Sequence, residues 1–172
     1  VYYQPVYSIQ ERRFITLEAL SRLHHPELGW IAPDVFIQVA EKNHLIDQIT
    51  ELQLRRICRF MKENEIALAG IENVKVNLSP LDLMRHDCGE HLIQILDEYG
   101  LPYSRFQFEI TETVATEYTS SLSRLVEIFQ KAGIGLCLDD FGSGYANLNT
   151  VMQLPFSAIK LDRSLLFHIC TD

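Results

Sequence analysis

Two adjacent carboxylates, Asp139 and Asp140, lie between an apolar segment and a Gly142-Ser143-Gly144 turn. Residues 134–138 are almost entirely apolar, which is typical of a buried strand, so the pair falls where that strand ends. Carboxylates side by side at the rim of a core repel each other unless a cation or a proton offsets their charge. Because adjacent strand residues point to opposite sides, the pair can serve two metal ions, or one metal ion and a loop. Taken alone, the pattern favours a structural role, in which one aspartate forms a turn and the other caps the N-terminus of the following helix.

Four more polar residues lie at or near the carboxyl ends of predicted strands: Glu18, Asn77, Glu109 and Lys160. Parallel strands bring those ends to a single rim, which is where barrel enzymes keep their chemistry. Each residue has a structural explanation of its own, such as a turn-forming Asn, a Glu paired with Arg, or a Lys reaching out of an apolar strand. Five such residues on one rim, counting Asp139, are much harder to explain in that way.

The chemistry that this set predicts is metal-assisted hydrolysis. Three carboxylates, an amide and a spare carboxylate form an oxygen-only ligand set that suits Mg²⁺ or Mn²⁺. The set contains no histidine, which argues against zinc, and His24 and His25 belong to a segment outside it that we interpret as structural or solvated. A lysine beside clustered carboxylates lowers their repulsion and can orient a water. Two metal ions sharing Asp139 would form the clamp used for in-line attack on phosphodiesters.

The elements that must position these residues follow from the hydrophobic pattern. Strand and helix alternate from Val74 to the end, which predicts right-handed βαβ units and a parallel sheet, hence an α/β fold. Residues 24–32 are predicted as a loop, and a short helix is predicted near Tyr145–Met152. The six predicted strands are Val1–Ser8, Phe14–Leu20, Val74–Ser79, Phe106–Ile110, Ile134–Leu138 and Ala158–Leu161.

Composition sets the broad class of protein. With 172 residues and 47% hydrophobic content, the chain is expected to form one globular domain. The net charge of −8 argues against binding to DNA or RNA, although bound cations would allow a small anionic ligand. The four cysteines are scattered, which predicts reduced thiols and a cytoplasmic location. No apolar run approaches the roughly 18 residues needed to span a bilayer, so any membrane anchor would lie elsewhere in a longer protein.

The motifs together resemble those of the EAL domain family, the bacterial cyclic di-GMP phosphodiesterases. They occur in order along the whole chain, and as a set they are far more specific than a bare Glu-Ala-Leu tripeptide. The matching segments are Glu18-Ala19-Leu20 with Arg22, Val76-Asn77-Leu78-Ser79, Glu109-Ile110-Thr111-Glu112, Asp139-Asp140-Phe141-Gly142-Ser143-Gly144 and Lys160-Leu161-Asp162-Arg163.

The resemblance implies a TIM-like (β/α) barrel that hydrolyses cyclic di-GMP to the linear dinucleotide with two Mg²⁺ or Mn²⁺ ions. Lys160 would hold the attacking water, Glu18 would share the catalytic role, and Glu112 would tether the loop that couples dimerisation to metal binding. The first ion would be bound by Glu18, Asn77, Glu109 and Asp139, and the second by Asp139 and Asp140. The substrate contacts would be Gln4, Leu20, Arg22 and Asp162.

The family barrel has eight strands, whereas only six are predicted here, so residues 1–172 are expected to be an EAL domain that is incomplete at its C-terminus. The remainder would carry a further metal-site glutamate and a glutamine near the substrate. The exposed sheet edges favour a homodimer or a swapped assembly, and sensory or diguanylate cyclase-type domains are expected to be attached. One alternative is a non-catalytic module of the same fold that binds cyclic di-GMP or a protein partner. An unrelated Mg²⁺-dependent lyase barrel would need a phosphate-binding loop that the sequence lacks.

Overall fold

A computed structural model describes residues 1–117, 119–143 and 154–165, with the side chains of 117 and 119–121 left out. The predicted helix near Tyr145–Met152 and the fourth cysteine, Cys170, lie outside the described residues. The strands are β1 Tyr2–Ser8, β2 Arg13–Leu20, β3 Leu23–His25, β4 Gly29–Ile31, β5 Asn73–Asn77, β6 Phe106–Thr111, β7 Gly135–Phe141 and β8 Ala158–Leu161. The α-helices are α1 Pro33–Lys42, α2 Ile46–Glu63, α3 Pro80–Met84, α4 Cys88–Tyr99, α5 Glu112–Glu117 and α6 Thr119–Ala132, and a 3₁₀ turn covers Tyr103–Arg105.

Six strands form one sheet in the order β1-β2-β5-β6-β7-β8. β1 runs antiparallel to β2, and every later neighbour in the sheet is parallel. Among the described residues, helices lie between β2 and β5, between β5 and β6, and between β6 and β7, as the alternating pattern predicts. The six predicted strands are therefore present.

The sheet curls into part of a barrel. β2 and β8 are separated by three strands, which in a flat sheet would put them roughly 19 Å apart at about 4.8 Å per strand spacing. Lys160 on β8 nevertheless lies 3.2 Å from Glu18 on β2. The predicted TIM-like barrel fold is confirmed, and the described residues contribute six strands to its wall.

The two faces of the sheet differ in polarity because side chains alternate along each strand. The outer face is apolar and packs against the helices, as in the stack of Phe108 on Phe129 of α6, whose ring centroids are 4.9 Å apart. The inner face carries polar and charged side chains, including the buried Lys75, Gln107 and Glu109. The core that stabilises the fold therefore lies outside the barrel wall, and the inner face is left for the site.

The segment His24–Ala32, predicted as a loop, instead contains the antiparallel hairpin β3–β4. His24 and Trp30 face each other across it, with ring centroids 4.9 Å apart, and Gly29 adopts a φ of +70° at the turn. A cross-strand aromatic pair and a turn glycine stabilise a hairpin too short to show a strand pattern. The loop prediction was wrong for this reason.

None of the helices among the described residues combines the length and the apolar composition needed to cross a bilayer. The three cysteines in the described part of the chain, Cys58, Cys88 and Cys137, are free and buried. Burial raises the pKa of Cys58 and of Cys88 to about 12, which is typical of inert core thiols.

Candidate metal centre and substrate cleft

Three carboxylates meet at the carboxyl ends of β2, β6 and β7. Glu18, Glu109 and Asp139 each bring an oxygen within 4.8 Å of the others. Glu109 is the most deeply buried, with a side-chain exposure of 0%, whereas Glu18 and Asp139 are each 17% exposed. The curl of the sheet explains why these three side chains lie together, because it brings the carboxyl ends of distant strands to one rim.

Lys160 on β8 lies at the centre of this cluster. Its Nζ donates to Glu18 at 3.2 Å, to Glu109 at 3.2 Å and to Asp139 at 2.9 Å. Burial by itself lowers the pKa of Lys160, but the hydrogen bond to Asp139 and the charges of the three carboxylates outweigh it. The pKa of Lys160 therefore lies above its ordinary value, and the side chain remains an ammonium at neutral pH.

Asn77 and Asp140 are neighbours of the cluster, Asn77 across the sheet and Asp140 along the chain. Asn77 ends β5, directly beside Glu109 in the register, and is exposed at the rim. Asp140 adopts a left-handed backbone with a φ of 55°, is exposed, and donates its N–H to Asp139 Oδ1 at 2.8 Å. Partial burial of its carboxyl group raises the pKa of Asp140, and the negative charges of Asp139 and Asp162 raise it further.

Glu112 supports the loop that follows β7. It begins α5, is buried, and its Oε2 accepts a hydrogen bond from the N–H of Gly142. Gly142 has a φ of +93°, a conformation that an L side chain rarely adopts. The carboxylate thus holds the described start of the Gly-Ser-Gly turn against the end of β6.

A cleft of about 380 Å³ opens beside the cluster. Glu18 and Asn77 form its wall on the side of the cluster, and Leu20 and Arg22, two of the four predicted substrate contacts, also line it. Much of the remaining lining is apolar and comes from α1, α2 and the start of α3, including Pro33, Ile37, Ile46, Ile49 and Pro80, with Glu41, Thr50 and Gln53 as polar members on α1 and α2. An apolar cleft with a few polar groups is typical of a small-molecule site.

Two predicted substrate contacts lie outside this lining. Gln4 on β1 is exposed and is the strand partner of Glu18. Asp162 follows β8, and its Oδ1 accepts the N–H of Ser164 at 2.8 Å. The hydrogen bonds from Ser164 lower the pKa of Asp162.

The donor set fits a hard divalent cation. All of the charged ligand atoms are carboxylate oxygens, and the cluster already attracts a cationic group, the ammonium of Lys160. Oxygen donors in this arrangement are the ligands that Mg²⁺ and Mn²⁺ prefer.

A sequence profile of the EAL domain matches residues 1–172. The chain belongs to the EAL domain family. The cyclic di-GMP phosphodiesterase RocR of Pseudomonas aeruginosa is 36% identical over 172 residues, covering 99% of this chain and 43% of that protein. The cyclic di-GMP phosphodiesterase NbdA of the same organism is 34% identical over 171 residues, covering 98% of this chain and 22% of that protein.

Solved EAL domains share the fold. The complex of the PaMucR phosphodiesterase with c-di-GMP superposes with a TM-score of 0.88 at 33% identity, covering 99% of this chain and 69% of that chain. The chain spans less than half the length of the two named relatives, RocR and NbdA. Membership of the EAL family and the barrel fold are thus confirmed, and the named relatives are cyclic di-GMP phosphodiesterases.

One charged residue of this EAL domain escaped the sequence analysis. Lys75 lies on β5 two residues before Asn77, and its Nζ is 3.1 Å from Glu109 Oε1 and 3.6 Å from Cys137 Sγ. Burial, only partly offset by the charge of Lys75, raises the pKa of the Cys137 thiol to about 11. The alternation Val74-Lys75-Val76-Asn77 was the available signal, since it puts Lys75 on the same face as Asn77.

Proposed function

We propose that this EAL domain hydrolyses cyclic di-GMP to the linear dinucleotide with Mg²⁺ or Mn²⁺. The observation that carries the proposal is the cluster of Glu18, Glu109 and Asp139 around Lys160, at the mouth of a cleft of about 380 Å³. Relatives with 34% and 36% identity are named cyclic di-GMP phosphodiesterases.

The metal ligands in this proposal are Glu18, Asn77, Glu109 and Asp139 for one ion, and Asp139 with Asp140 for a second. A bound cation would polarise the scissile phosphate and lower the pKa of a coordinated water. The left-handed backbone at Asp140 supports its separate assignment, because it turns that carboxylate out of the cluster.

Lys160 is the residue we assign to the attacking water. Its Nζ already has donor geometry toward three oxygens at the rim, so it can equally hydrogen-bond a water oxygen placed among them. Such a contact orients the water for in-line attack on phosphorus, in which a new P–O bond forms and one bridging P–O bond breaks. The attacking water gives up one proton as its oxygen bonds to phosphorus, and the departing oxygen takes one up as the ring of the substrate opens, so the step consumes one water and leaves no net proton.

The substrate is assigned to the cleft. Leu20 and the other apolar lining residues give a surface for a purine base, and Arg22 offers a guanidinium for a phosphate. Gln4 and Asp162 would contact the dinucleotide from β1 and from the end of β8, and Glu112 would keep the loop after β7 in position.

The proposal is tested by incubating the chain with cyclic di-GMP and Mn²⁺ and following the linear product by chromatography. We expect turnover in the unmodified chain and at least about a hundredfold loss in Glu18→Ala and in Lys160→Ala. Lys131→Ala is the control, since Lys131 is exposed on α6 and paired only with Glu127 among the described residues. Binding of cyclic di-GMP without turnover would favour the receptor alternative, and neither binding nor turnover would contradict both.

Assembly is a further part of the proposal. β1 and β8 are the outer strands of the described sheet, and unpaired strand edges invite association. We expect a homodimer or a swapped assembly, measured by light scattering of the full chain.

A relative with 33% identity, MucR of Pseudomonas aeruginosa, is named a bifunctional diguanylate cyclase and cyclic di-GMP phosphodiesterase. This name supports attached signalling domains in a longer form of the present protein.

A further inference from the structure

Lys75 is a buried ammonium directly behind the carboxylate cluster. It lies on β5 with 8% of its surface exposed, and its Nζ is 3.1 Å from Glu109 Oε1. The other carboxylate oxygen of Glu109, Oε2, faces Lys160 at 3.2 Å. Glu109 therefore has one lysine on each of its oxygens.

The two lysines differ in their freedom to move. Lys160 is 30% exposed at the rim and contacts all three carboxylates, so it can release them to another cation and turn its Nζ to a water at the rim. The side chain of Lys75 is only 10% exposed and lies on the far side of Glu109 from the rim. Its charge stays beside the cluster whatever binds at the rim.

Charge, rather than volume, is what Lys75 adds to this position. Burying an ammonium costs free energy, and an apolar side chain of the same length would fill the space without that cost. Within the described part of the chain, the Nζ of Lys75 contacts one anion, Glu109, and one thiol, that of Cys137. The electrostatic effect of Lys75 is thus directed at one member of the metal-ligand set.

We infer that Lys75 is a fixed internal counter-charge that lowers the affinity of the cluster for a divalent cation. This inference rests on the proposed function, because it takes the cluster to be the metal site. With Lys75 and Lys160 both charged, the three carboxylates retain a single net negative charge. A dication entering the cluster displaces Lys160 but still meets the repulsion of Lys75 across a short, poorly solvated distance. Half-saturation of the site then needs a higher metal concentration than it would without the charge of Lys75.

The test measures Mn²⁺ binding to the full chain directly, from the loss of the electron paramagnetic resonance signal of free Mn²⁺. Lys75→Gln removes the charge but keeps a hydrogen-bond donor for Glu109, and Lys75→Met removes both. We expect both variants to bind Mn²⁺ about tenfold more tightly than the unmodified chain. Lys131→Met changes the net charge equally at an exposed site, where solvent and salt screen it, and should leave the affinity unchanged.

Each outcome decides the inference. An unmodified chain that binds Mn²⁺, together with Lys75 variants that bind no more tightly, would overturn the role of Lys75 and leave the proposed function standing. If neither the unmodified chain nor any variant binds Mn²⁺, the metal site fails and the inference fails with it. A Lys75→Gln chain that stays unfolded by circular dichroism even in saturating Mn²⁺ would show a structural role instead. A variant that folds only when Mn²⁺ is present would support the inference, since tighter binding stabilises the folded state.

Discussion

The three carboxylates of the cluster lie close enough to repel one another, and the positive charges of two lysines offset that repulsion. Lys160 donates to all three carboxylates, and Lys75 holds the inner oxygen of Glu109. In the proposed function a hard dication would bind the same oxygens, so the two lysines that pair with the carboxylates would also compete with that dication.

Glu112 offers a test at the level of one hydrogen bond. Replacing it with alanine removes the acceptor for the Gly142 N–H, and a hydrogen bond to a charged group contributes about 1.5–3 kcal/mol. We expect hydrogen exchange at the Gly142 amide to become at least roughly tenfold faster in Glu112→Ala. The matched variant Glu112→Gln keeps an acceptor oxygen and should have a smaller effect. Equal exchange rates in all three chains would mean that Glu112 does not hold the loop.

The residues of the cluster were predictable from the sequence because each ends a recognisable strand. Glu109 and Asp139 follow apolar segments, and the parallel sheet brings their strand ends together. Lys75 was missed because it lies within a strand and its partner is distant in sequence, 34 residues away. Charge pairing of this kind depends on the strand register, which the hydrophobic pattern does not specify.

At the level of elements, the connection from β5 to α3 shows how the rim is kept rigid. Ser79 caps α3 in a capping box with Asp82, and Pro80 occupies the first turn. Oδ2 of the buried Asp82 accepts the Ser79 N–H at 2.9 Å and the Thr50 hydroxyl of α2 at 2.8 Å. This network fixes the cleft wall that follows Asn77.

Asp82 makes the stability of this connection depend on pH. Burial raises the pKa of Asp82 despite its hydrogen bonds from Ser79 and Thr50, so ionisation of the folded chain costs stability at neutral pH. That cost is relieved as the pH falls through the raised pKa of the folded state, and relief is complete below the unfolded pKa of about 3.9.

Asp82→Asn keeps an acceptor oxygen and removes the titration. We expect it to be more stable than the unmodified chain at pH 7, with a difference that shrinks toward pH 4, measured by urea unfolding. Comparing the two chains at each pH cancels the titration of every other group that they share. A difference that stays constant between pH 7 and pH 4 would contradict the assignment of a raised pKa to Asp82.

Some of the short elements could not be predicted from sequence patterns. The hairpin β3–β4 has three residues per strand, and α3 has five residues, both too short for periodicity to appear. They form because of particular contacts, the His24–Trp30 pair and the capping box of Ser79. The ends of longer helices leave a clearer signal in the sequence. α4, for example, ends at Gly100, whose φ of 61° is the left-handed conformation that glycine commonly adopts after a helix.

At the scale of the whole molecule, the curl of the sheet and the site depend on each other. The hydrogen bond from Lys160 to Glu18 links β8 to β2, although β5, β6 and β7 lie between these two strands in the sheet. The attraction between the rim residues thus helps to close the sheet, and the closed sheet in turn assembles the rim.

Lys160→Met should therefore destabilise the metal-free chain. Removing one partner of a buried ion pair costs about 3–5 kcal/mol, and we expect roughly 2–4 kcal/mol here because Lys160 is 30% exposed. The loss should appear as a lower melting temperature in EDTA and be largely recovered on adding Mn²⁺, which takes over the role of the cation. Lys131→Met serves as the exposed control. A Lys160→Met chain as stable in EDTA as the unmodified one would show that the cluster does not contribute to closing the sheet.

The most direct test of the central claim is a metal titration of cyclic di-GMP hydrolysis by the unmodified chain. The chain is first treated with EDTA, Mn²⁺ is then added back in steps, and the linear dinucleotide is measured by chromatography at each step. The carboxylate cluster predicts no product in EDTA and a rate that rises with Mn²⁺ to saturation. A folded chain that binds cyclic di-GMP but forms no product at any Mn²⁺ concentration, or forms product equally well in EDTA, would contradict it.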